Sequence, residues 1–377
     1  MNAGRLIQFA NDLDAKIASS VNTTTVLPRI VQSIGAEVLK STSERQHMNS
    51  NAKHVNAVLM ALALCTIPLI SQAADAEQLV DGLNAVFGKQ TQGVRASHAK
   101  GQCVKGIWEP TPQSAELTHS ASFAKEYPVL ARFSVGGGNP AIADTTKSVV
   151  RGLSLRIDPN GSAQTEFVMV NAPVHFARTL DQMLEFLKVR VPGPEGKPDA
   201  EKIRAFGDAN PETKRQGAFV SAKQLPASYA GVNYWAVHAY TMTNASGKKR
   251  TVKFKFVPQM GELGLSDDEA KVKPADFLVD ELRKRLTVQP VKFDVLALLG
   301  QPGDISSDPS QTWRDEEKRA SVKVATLTIT EFEDNAICNA RFFNPTNLAA
   351  GVSGPADDPF FAIRLPSYAI SHGRRSN

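Results

Sequence analysis

The sequence has little cysteine, little tryptophan and no concentrated charge. Its three cysteines and seven histidines do not form a set with zinc-ligand spacing, and no glycine-rich phosphate loop is present. The net charge is only +5, and no basic run is interleaved with aromatic residues, so nucleic-acid binding is not expected. The remaining composition, 42% hydrophobic and 21% charged residues, is that of a soluble protein with a sizeable core.

No apolar run in the N-terminal part is long enough for a stable membrane span. The stretch Val55–Ile70 is shorter than the ~20 residues that a transmembrane helix needs. Lys53 precedes this stretch, and the small residues 71–73 follow it and allow cleavage before Ala74. This pattern predicts a signal peptide over 48–74, with a buried helix as the alternative.

The position of this signal predicts how the chain is divided. Translation is expected to start at Met48, so residues 1–47 are interpreted as an upstream or non-native extension. Residues 75–377 then form one mature, periplasmic domain, which retains Cys103 and Cys338. These two cysteines either form a disulfide in an oxidising periplasm or remain two buried thiols.

The mature chain alternates between strand-like and helix-like segments. Apolar and polar residues alternate along 251–259 and 321–333, which is typical of strands. Apolar residues recur at three- and four-residue spacing along 180–189 and 276–286, which is typical of helices. The sequence therefore predicts an α+β domain built around an antiparallel sheet or barrel.

Three segments of the mature chain carry candidate catalytic residues. His98 lies among small residues in GVRASHAKGQC, and an imidazole suits acid–base work because its pKa is near neutral. Arg132 and Ser134 alternate along one strand and face the same side, before a glycine run. Asn171 and His175 follow another predicted strand. For each residue the alternative is a structural or exposed position.

The chain ends in RLPSYAISHGRRSN, which reads either as a solvated basic tail or as a helix. Pro366 is tolerated only in a first helical turn, so a helix is expected to start near Arg364 or Leu365. On such a helix Arg364, Tyr368 and Arg375 form one stripe. A neighbouring cation lowers the pKa of a phenol and so favours tyrosinate, which binds ferric iron.

The segments RASHAKG, ARFSVGGG, NAPVHFAR and RLPSYAISHGRR occur in the order and at the approximate spacing of the heme catalase core. The sequence therefore resembles the compact catalase-related peroxidases, which lack the C-terminal helical domain of full catalases. The resemblance implies an antiparallel β-barrel with inserted and C-terminal helices, and heme b.

The implied function is defence against oxidative stress, by a peroxidase that reduces hydrogen peroxide or organic hydroperoxides and retains at most weak catalase activity. Its partners are a peroxide and an unidentified electron donor, and the resemblance also allows a homo-oligomer. The alternatives are a non-catalytic periplasmic heme carrier or sensor and an enzyme that converts fatty-acid hydroperoxides.

The resemblance also assigns roles on the distal side of the heme. His98 matches the histidine that takes a proton from bound peroxide and returns it to the leaving oxygen, and Ser134 matches the serine that supports this histidine. Arg95 and Arg132 match arginines that bind the heme propionates. His238, on a predicted strand, is expected to be structural.

On the proximal side, Tyr368 matches the axial ligand of the iron, Arg364 the arginine that supports its charge, and Arg375 a further propionate partner. One position departs from the pattern of full catalases, which carry a distal asparagine. Val170 occupies that position, and Asn171 matches its neighbour. Asn171 is therefore a catalytic candidate only if the backbone shifts locally.

Overall fold

The computed structural model describes residues 73–87 and 92–376. The predicted extension and nearly all of the predicted signal peptide lie outside these residues. No helix in the two described stretches is both long and apolar enough to cross a membrane.

The strands run mostly along segments in which apolar and polar side chains alternate. In chain order they are β1 Gly101–Pro110, β2 Tyr127–Val135, β3 Arg151–Ile157, β4 Thr165–Val170, β5 Leu225–Pro226, β6 Tyr234–Thr243, β7 Lys249–Pro258, β8 Gly264–Leu265, β9 Val291–Leu299, β10 Ser321–Phe332 and β11 Val352–Ser353. The predicted strands at 251–259 and 321–333 are thereby confirmed as β7 and β10.

The helices lie before, between and after these strands. They are α1 Ala76–Phe87, α2 Ser114–Leu117, α3 Leu180–Lys188, α4 Ala200–Ala209, α5 Arg215–Ala222, α6 Asp267–Lys271, α7 Phe277–Leu286, α8 Asn335–Asn339 and α9 Pro359–Ser376. The predicted helices at 180–189 and 276–286 are confirmed as α3 and α7.

Eight strands close into an antiparallel barrel. The order around the barrel is β1, β2, β3, β4, β6, β7, β9 and β10, and β10 pairs with β1 to complete the ring. The short strand β11 pairs with β6 outside this ring. Closure leaves none of the eight strands with an unpaired edge, and it confirms the predicted α+β barrel.

The barrel interior is filled mainly by aromatic rings. Phe167 lies 4.9 Å from Phe254 and 5.7 Å from Phe256 between ring centroids, in edge-on arrangements. Phe133 of β2 belongs to this core, so its neighbours Arg132 and Ser134 point to the outer face of the barrel. Both are nevertheless buried, at 5% and 3% exposure, because other elements cover this part of the outer face.

The C-terminal helix starts earlier than the sequence predicted. The expectation of a start near Arg364 or Leu365 is wrong, because α9 begins at Pro359 and carries Pro366 in its interior. Asp358 caps the helix, and its Oδ1 accepts from the N–H groups two and three residues later, at 2.8 and 3.2 Å. Pro366 removes one hydrogen bond of the helix ladder, a loss that this cap and the packing of the helix offset.

Candidate active site

His98 lies on the buried part of the outer barrel face. Its backbone is left-handed, with φ 53°, a conformation that residues other than glycine rarely adopt. Nδ1 of its ring is 2.9 Å from Oγ of Ser134 on β2. The strained backbone and the serine together determine where the imidazole points.

Gly152 of β3 provides the space for this pair. It is the cross-strand partner of Ser134, and a Cβ atom built on it would lie 2.5 Å from Oγ of Ser134 and 2.8 Å from Nδ1 of His98. Both distances are too short for real contacts, so the arrangement requires glycine at this position. Sequence reasoning missed Gly152, although a glycine inside a strand pattern indicates close approach of another group.

Val170 lies on the same face as this pair, whereas Asn171 is engaged elsewhere. Val170 of β4 is the cross-strand partner of Gly152, and partners in an antiparallel pair share a face of the sheet. Oδ1 of Asn171 accepts from the backbone N–H of Arg151 at 2.7 Å. The side chain facing His98 in this row is therefore apolar, and the catalytic role of Asn171 stays a prediction.

Three buried or half-buried arginines are held by backbone carbonyls. Arg95 donates to the carbonyls of Cys338 and Arg341, at 2.6 and 3.0 Å. Arg375 donates to the carbonyl of Arg341 at 2.7 Å. Arg132 donates to the two carbonyls at residues 98–99, both at 2.9 Å. None of the three has a carboxylate partner among the described residues.

Burial and the mutual repulsion of these cations lower their pKa values. Burial and the charges of Arg132 and Arg375 lower the pKa of Arg95 to about 9, and burial lowers the pKa of Arg132 to about 10. The Nε atoms of Arg95, Arg132, Arg364 and Arg375 are buried and have no hydrogen-bond partner among the described residues. Such a set of donors fits a dianionic ligand with carboxylate groups.

Tyr368 is reached by a chain of hydrogen bonds that begins at the cap of α9. The guanidinium of Arg364 donates to Oη of Tyr368 at 3.0 Å and contacts Nε2 of His238 at 3.3 Å. Because a guanidinium only donates, Nε2 is the acceptor, and Nδ1–H of His238 donates to Oδ2 of Asp358 at 2.6 Å. Burial lowers the pKa of His238, in keeping with this neutral tautomer.

His238 was expected to be structural, and the structure shows in addition that it contacts Arg364, the partner of Tyr368. A bulge in β6 places His238 beside α9. Ala236 pairs with Phe254 and Tyr240 pairs with Val252, although these two partners are only two residues apart on β7. The bulge leaves extra residues on β6, and His238 is one of them. The sequence carried no signal for this bulge.

The charges on the two sides of the site act on each other. Burial, together with the positive charges of Arg132 and Arg364, lowers the pKa of His98 to about 4. The phenol of Tyr368 acts in the opposite direction on the pKa of Arg95, which it raises. His98 and Tyr368 therefore lie close to the same group of arginines.

His175 is packed between two aromatic rings. Its ring centroid is 4.4 Å from that of Phe176 and 4.5 Å from that of Phe360 on α9. Nδ1 of His175 is within hydrogen-bonding distance of the backbone of Ala177, and burial lowers its pKa to about 3. These contacts fit the structural position that the sequence offered as the alternative for His175.

The two cysteines among the described residues form a disulfide. Cys103 of β1 is bonded to Cys338 of α8, and neither side chain is exposed. Of the two alternatives that the sequence left open, the structure contains the bridge.

Comparison with known proteins identifies the family of this chain. The family model described as "Catalase" matches residues 76–377. The chain belongs to the catalase family. It is 33% identical over 322 residues to the catalase-related peroxidase of Synechococcus elongatus, covering 85% of this chain and 94% of that protein. It is 32% identical to the catalase-related peroxidase of Mycolicibacterium paratuberculosis, covering 78% and 93%.

Solved catalase structures share the fold. A fungal catalase superposes with a TM-score of 0.67 at 23% identity, covering 79% of this chain and 62% of that one. Catalase A from Saccharomyces cerevisiae also has a TM-score of 0.67 at 23% identity, with 79% and 64% covered.

The catalase family implies a heme, and the residues of the site fit one. The converging donors of Arg95, Arg132 and Arg375 lack an anionic partner among the described residues and suit the two heme propionates. The phenol of Tyr368, which accepts from Arg364, is a suitable oxygen ligand for ferric iron.

Gly152→Ala is expected to displace His98 from Ser134, because the added methyl group overlaps both side chains. Gly217→Ala in α5 is the matched control, since a Cβ there meets no atom within 4 Å. We expect Gly152→Ala to reduce peroxide turnover by about 10²-fold or more, the contribution of a positioned acid–base group, with little change in heme content. Stopped-flow kinetics and the Soret band measure both. Equal turnover in the two variants would contradict the role of Gly152.

Proposed function

We propose that this catalase-family chain is a heme b peroxidase that reduces hydrogen peroxide or organic hydroperoxides with electrons from a separate donor. One observation carries the proposal. A positioned imidazole, His98 on Ser134, and a phenol paired with a cation, Tyr368 on Arg364, lie around the same group of unneutralised arginines. A heme carrier or sensor would require the arginines and Tyr368, but it has no use for a positioned His98.

His98 performs the proton transfers. Its lowered pKa keeps the imidazole neutral at neutral pH, so it can accept the proton of the peroxide and return it to the leaving oxygen. The bond to Ser134 engages Nδ1, which leaves Nε2 as the nitrogen that exchanges the proton. The heme supplies the iron at which the O–O bond is cleaved.

The proximal residues position Tyr368, which would ligate the heme iron. Arg364 donates to Oη of Tyr368 and so orients the phenol. His238 and Asp358 hold Arg364 in place from the opposite side. Arg95, Arg132 and Arg375 would hold the propionates of a bound heme.

The apolar side chain of Val170 favours peroxidase over catalase chemistry. Disproportionation requires a second hydrogen peroxide to be bound and oriented next to His98, and a polar side chain at this position assists that step by hydrogen bonding. Valine offers no hydrogen bond, but it tolerates the alkyl group of an organic hydroperoxide.

His98→Gln is expected to retain heme and to lose about 10²- to 10⁴-fold in peroxide turnover, because the acid–base group is missing. Tyr368→Phe is expected to lose heme, since phenylalanine cannot ligate iron. His119→Gln, at an exposed position, and Tyr127→Phe are matched controls. Unchanged turnover in His98→Gln, or an unchanged heme spectrum in Tyr368→Phe, would refute the assignment.

In the unsubstituted protein, peroxide turnover should persist below pH 6.5 and fall as the pH drops through about 4, where His98 is protonated.

Val170→Asn is expected to raise oxygen evolution from hydrogen peroxide, by about tenfold, relative to the oxidation of a phenolic donor. The added amide can hydrogen-bond peroxide beside His98. Val168→Asn, two residues earlier on the same strand face, is the control. A Clark electrode and a guaiacol assay give the two rates. The same ratio in both variants would show that residue 170 does not set the balance.

We also propose that the protein works in the periplasm after cleavage before Ala74. The buried disulfide supports an oxidising compartment. The backbone nitrogen of Ala74 supports the cleavage position, because it lies 2.7 Å from Oδ1 of Asp181 and Ala74 is only 3% exposed. Cleavage there would convert this N–H into an ammonium group paired with a carboxylate at the start of α3.

N-terminal sequencing of the protein from a periplasmic fraction is expected to begin at Ala74. Asp181→Asn should destabilise this processed form by about 1 kcal/mol in urea unfolding, and destabilise the chain that still carries residues 48–73 by less. Retention of residues 48–73 in the mature protein would refute the cleavage site.

A further inference from the structure

The end of α8 forms a row of carbonyl groups that face basic side chains. We define this carbonyl row as residues 338–342. Each of its five carbonyl oxygens lies within hydrogen-bonding distance of a cationic or imidazole group. The contacts are Arg95 to Cys338 at 2.6 Å, Arg375 to Asn339 at 3.4 Å, His372 to Ala340 at 3.1 Å, Arg95 and Arg375 to Arg341 at 3.0 and 2.7 Å, and Arg156 to Phe342 at 3.2 Å.

The carbonyl row begins at the end of α8, which supplies the carbonyls of Cys338 and Asn339, and continues through the three residues that follow. The last carbonyls of a helix have no partner within the helix, and basic side chains commonly satisfy them. Here two of those side chains, Arg95 and Arg375, are the arginines assigned to the heme propionates. The row therefore determines where two of the three propionate-binding guanidinium groups point.

The third guanidinium group, that of Arg132, is connected to the carbonyl row through the disulfide. Cys338 opens the carbonyl row and is bonded to Cys103, and Cys103 is the cross-strand partner of Arg132. Oδ1 of Asn335, at the start of α8, also accepts from the N–H of Cys103 at 2.7 Å. The bridge thus joins the support of Arg95 and Arg375 directly to the strand position opposite Arg132.

The proximal ligand touches the carbonyl row as well. The ring of Phe342 stacks on the ring of Tyr368, with centroids 6.2 Å apart and an interplanar angle of 21°. A shift of this segment would therefore move the surroundings of the axial ligand together with the propionate arginines.

We propose that the Cys103–Cys338 disulfide is a positioning device for the heme, which holds the carbonyl row against β1 so that Arg95, Arg132 and Arg375 converge before the heme binds. The need for a covalent link follows from charge. Three guanidinium groups without a carboxylate among the described residues repel one another, and burial together with this repulsion lowers the pKa of Arg95. Without the bridge, two of the three could move away together with the carbonyl row. This inference rests on the proposed heme function.

The test compares heme loss in the mature protein and in the variant Cys103→Ala/Cys338→Ala. Heme transfer to an excess of a heme-scavenging apoprotein is followed at the Soret band, below the unfolding temperature of every protein compared. We expect the variant to lose heme at least tenfold faster, with a shifted Soret band. Leu327→Ala is the control, because it removes a buried core side chain beside Trp108 at the opposite end of β1.

Loss of heme within twofold of the unsubstituted rate, or no faster than in Leu327→Ala, would overturn the proposal and leave the bridge a purely structural role. If the double variant does not fold, the unsubstituted chain is compared in two forms, oxidised and reduced with both thiols alkylated, whose thiols are counted by titration. Equal heme-loss rates in these two forms would also overturn it. An oxidised, unsubstituted protein that takes up no heme would instead refute the proposed function itself.

Discussion

The site depends on the convergence of like charges that backbone carbonyls hold in place. Arg95, Arg132 and Arg375 donate to carbonyl oxygens rather than to carboxylates, so their orientation is fixed while their charge stays uncompensated. A carboxylate partner would neutralise the charge and compete with an anionic ligand. Carbonyl dipoles orient a guanidinium without neutralising it, and its unpaired donors stay available. The binding of a carboxylate-bearing ligand then relieves repulsion as well as satisfying donors.

The barrel contributes to this site through its outer face. Its interior is occupied by aromatic rings, so the alternation of strand β2 directs Arg132 and Ser134 outward, where other elements bury them. A cross-strand row of Ser134, Gly152 and Val170 puts three chemically different residues on the face of the sheet against which His98 lies. The hydroxyl orients the ring, the glycine makes space for it, and the valine withholds a second polar contact.

One carboxylate connects the C-terminal helix to the axial ligand. Asp358 caps α9 through Oδ1 and accepts from His238 through Oδ2, and His238 in turn accepts from Arg364. The residue that decides where the helix begins therefore also helps to orient the guanidinium beside Tyr368. Because Asp358 caps the helix, α9 starts at Pro359 and not next to Pro366.

Much of the protein was readable from the sequence, because its signals are local. Strand alternation predicted β7 and β10, helical spacing predicted α3 and α7, and four motifs pointed to His98, Ser134, Tyr368 and the arginines, which the structure brings together. Other features depend on contacts between distant segments. The space at Gly152, the bulge that turns His238 toward Arg364, the pairing of Cys103 with Cys338 and the capping of α9 by Asp358 each exist only once the barrel has closed. Closure sets which side chains share a face and which carbonyls are left without partners, and no local pattern contains that information.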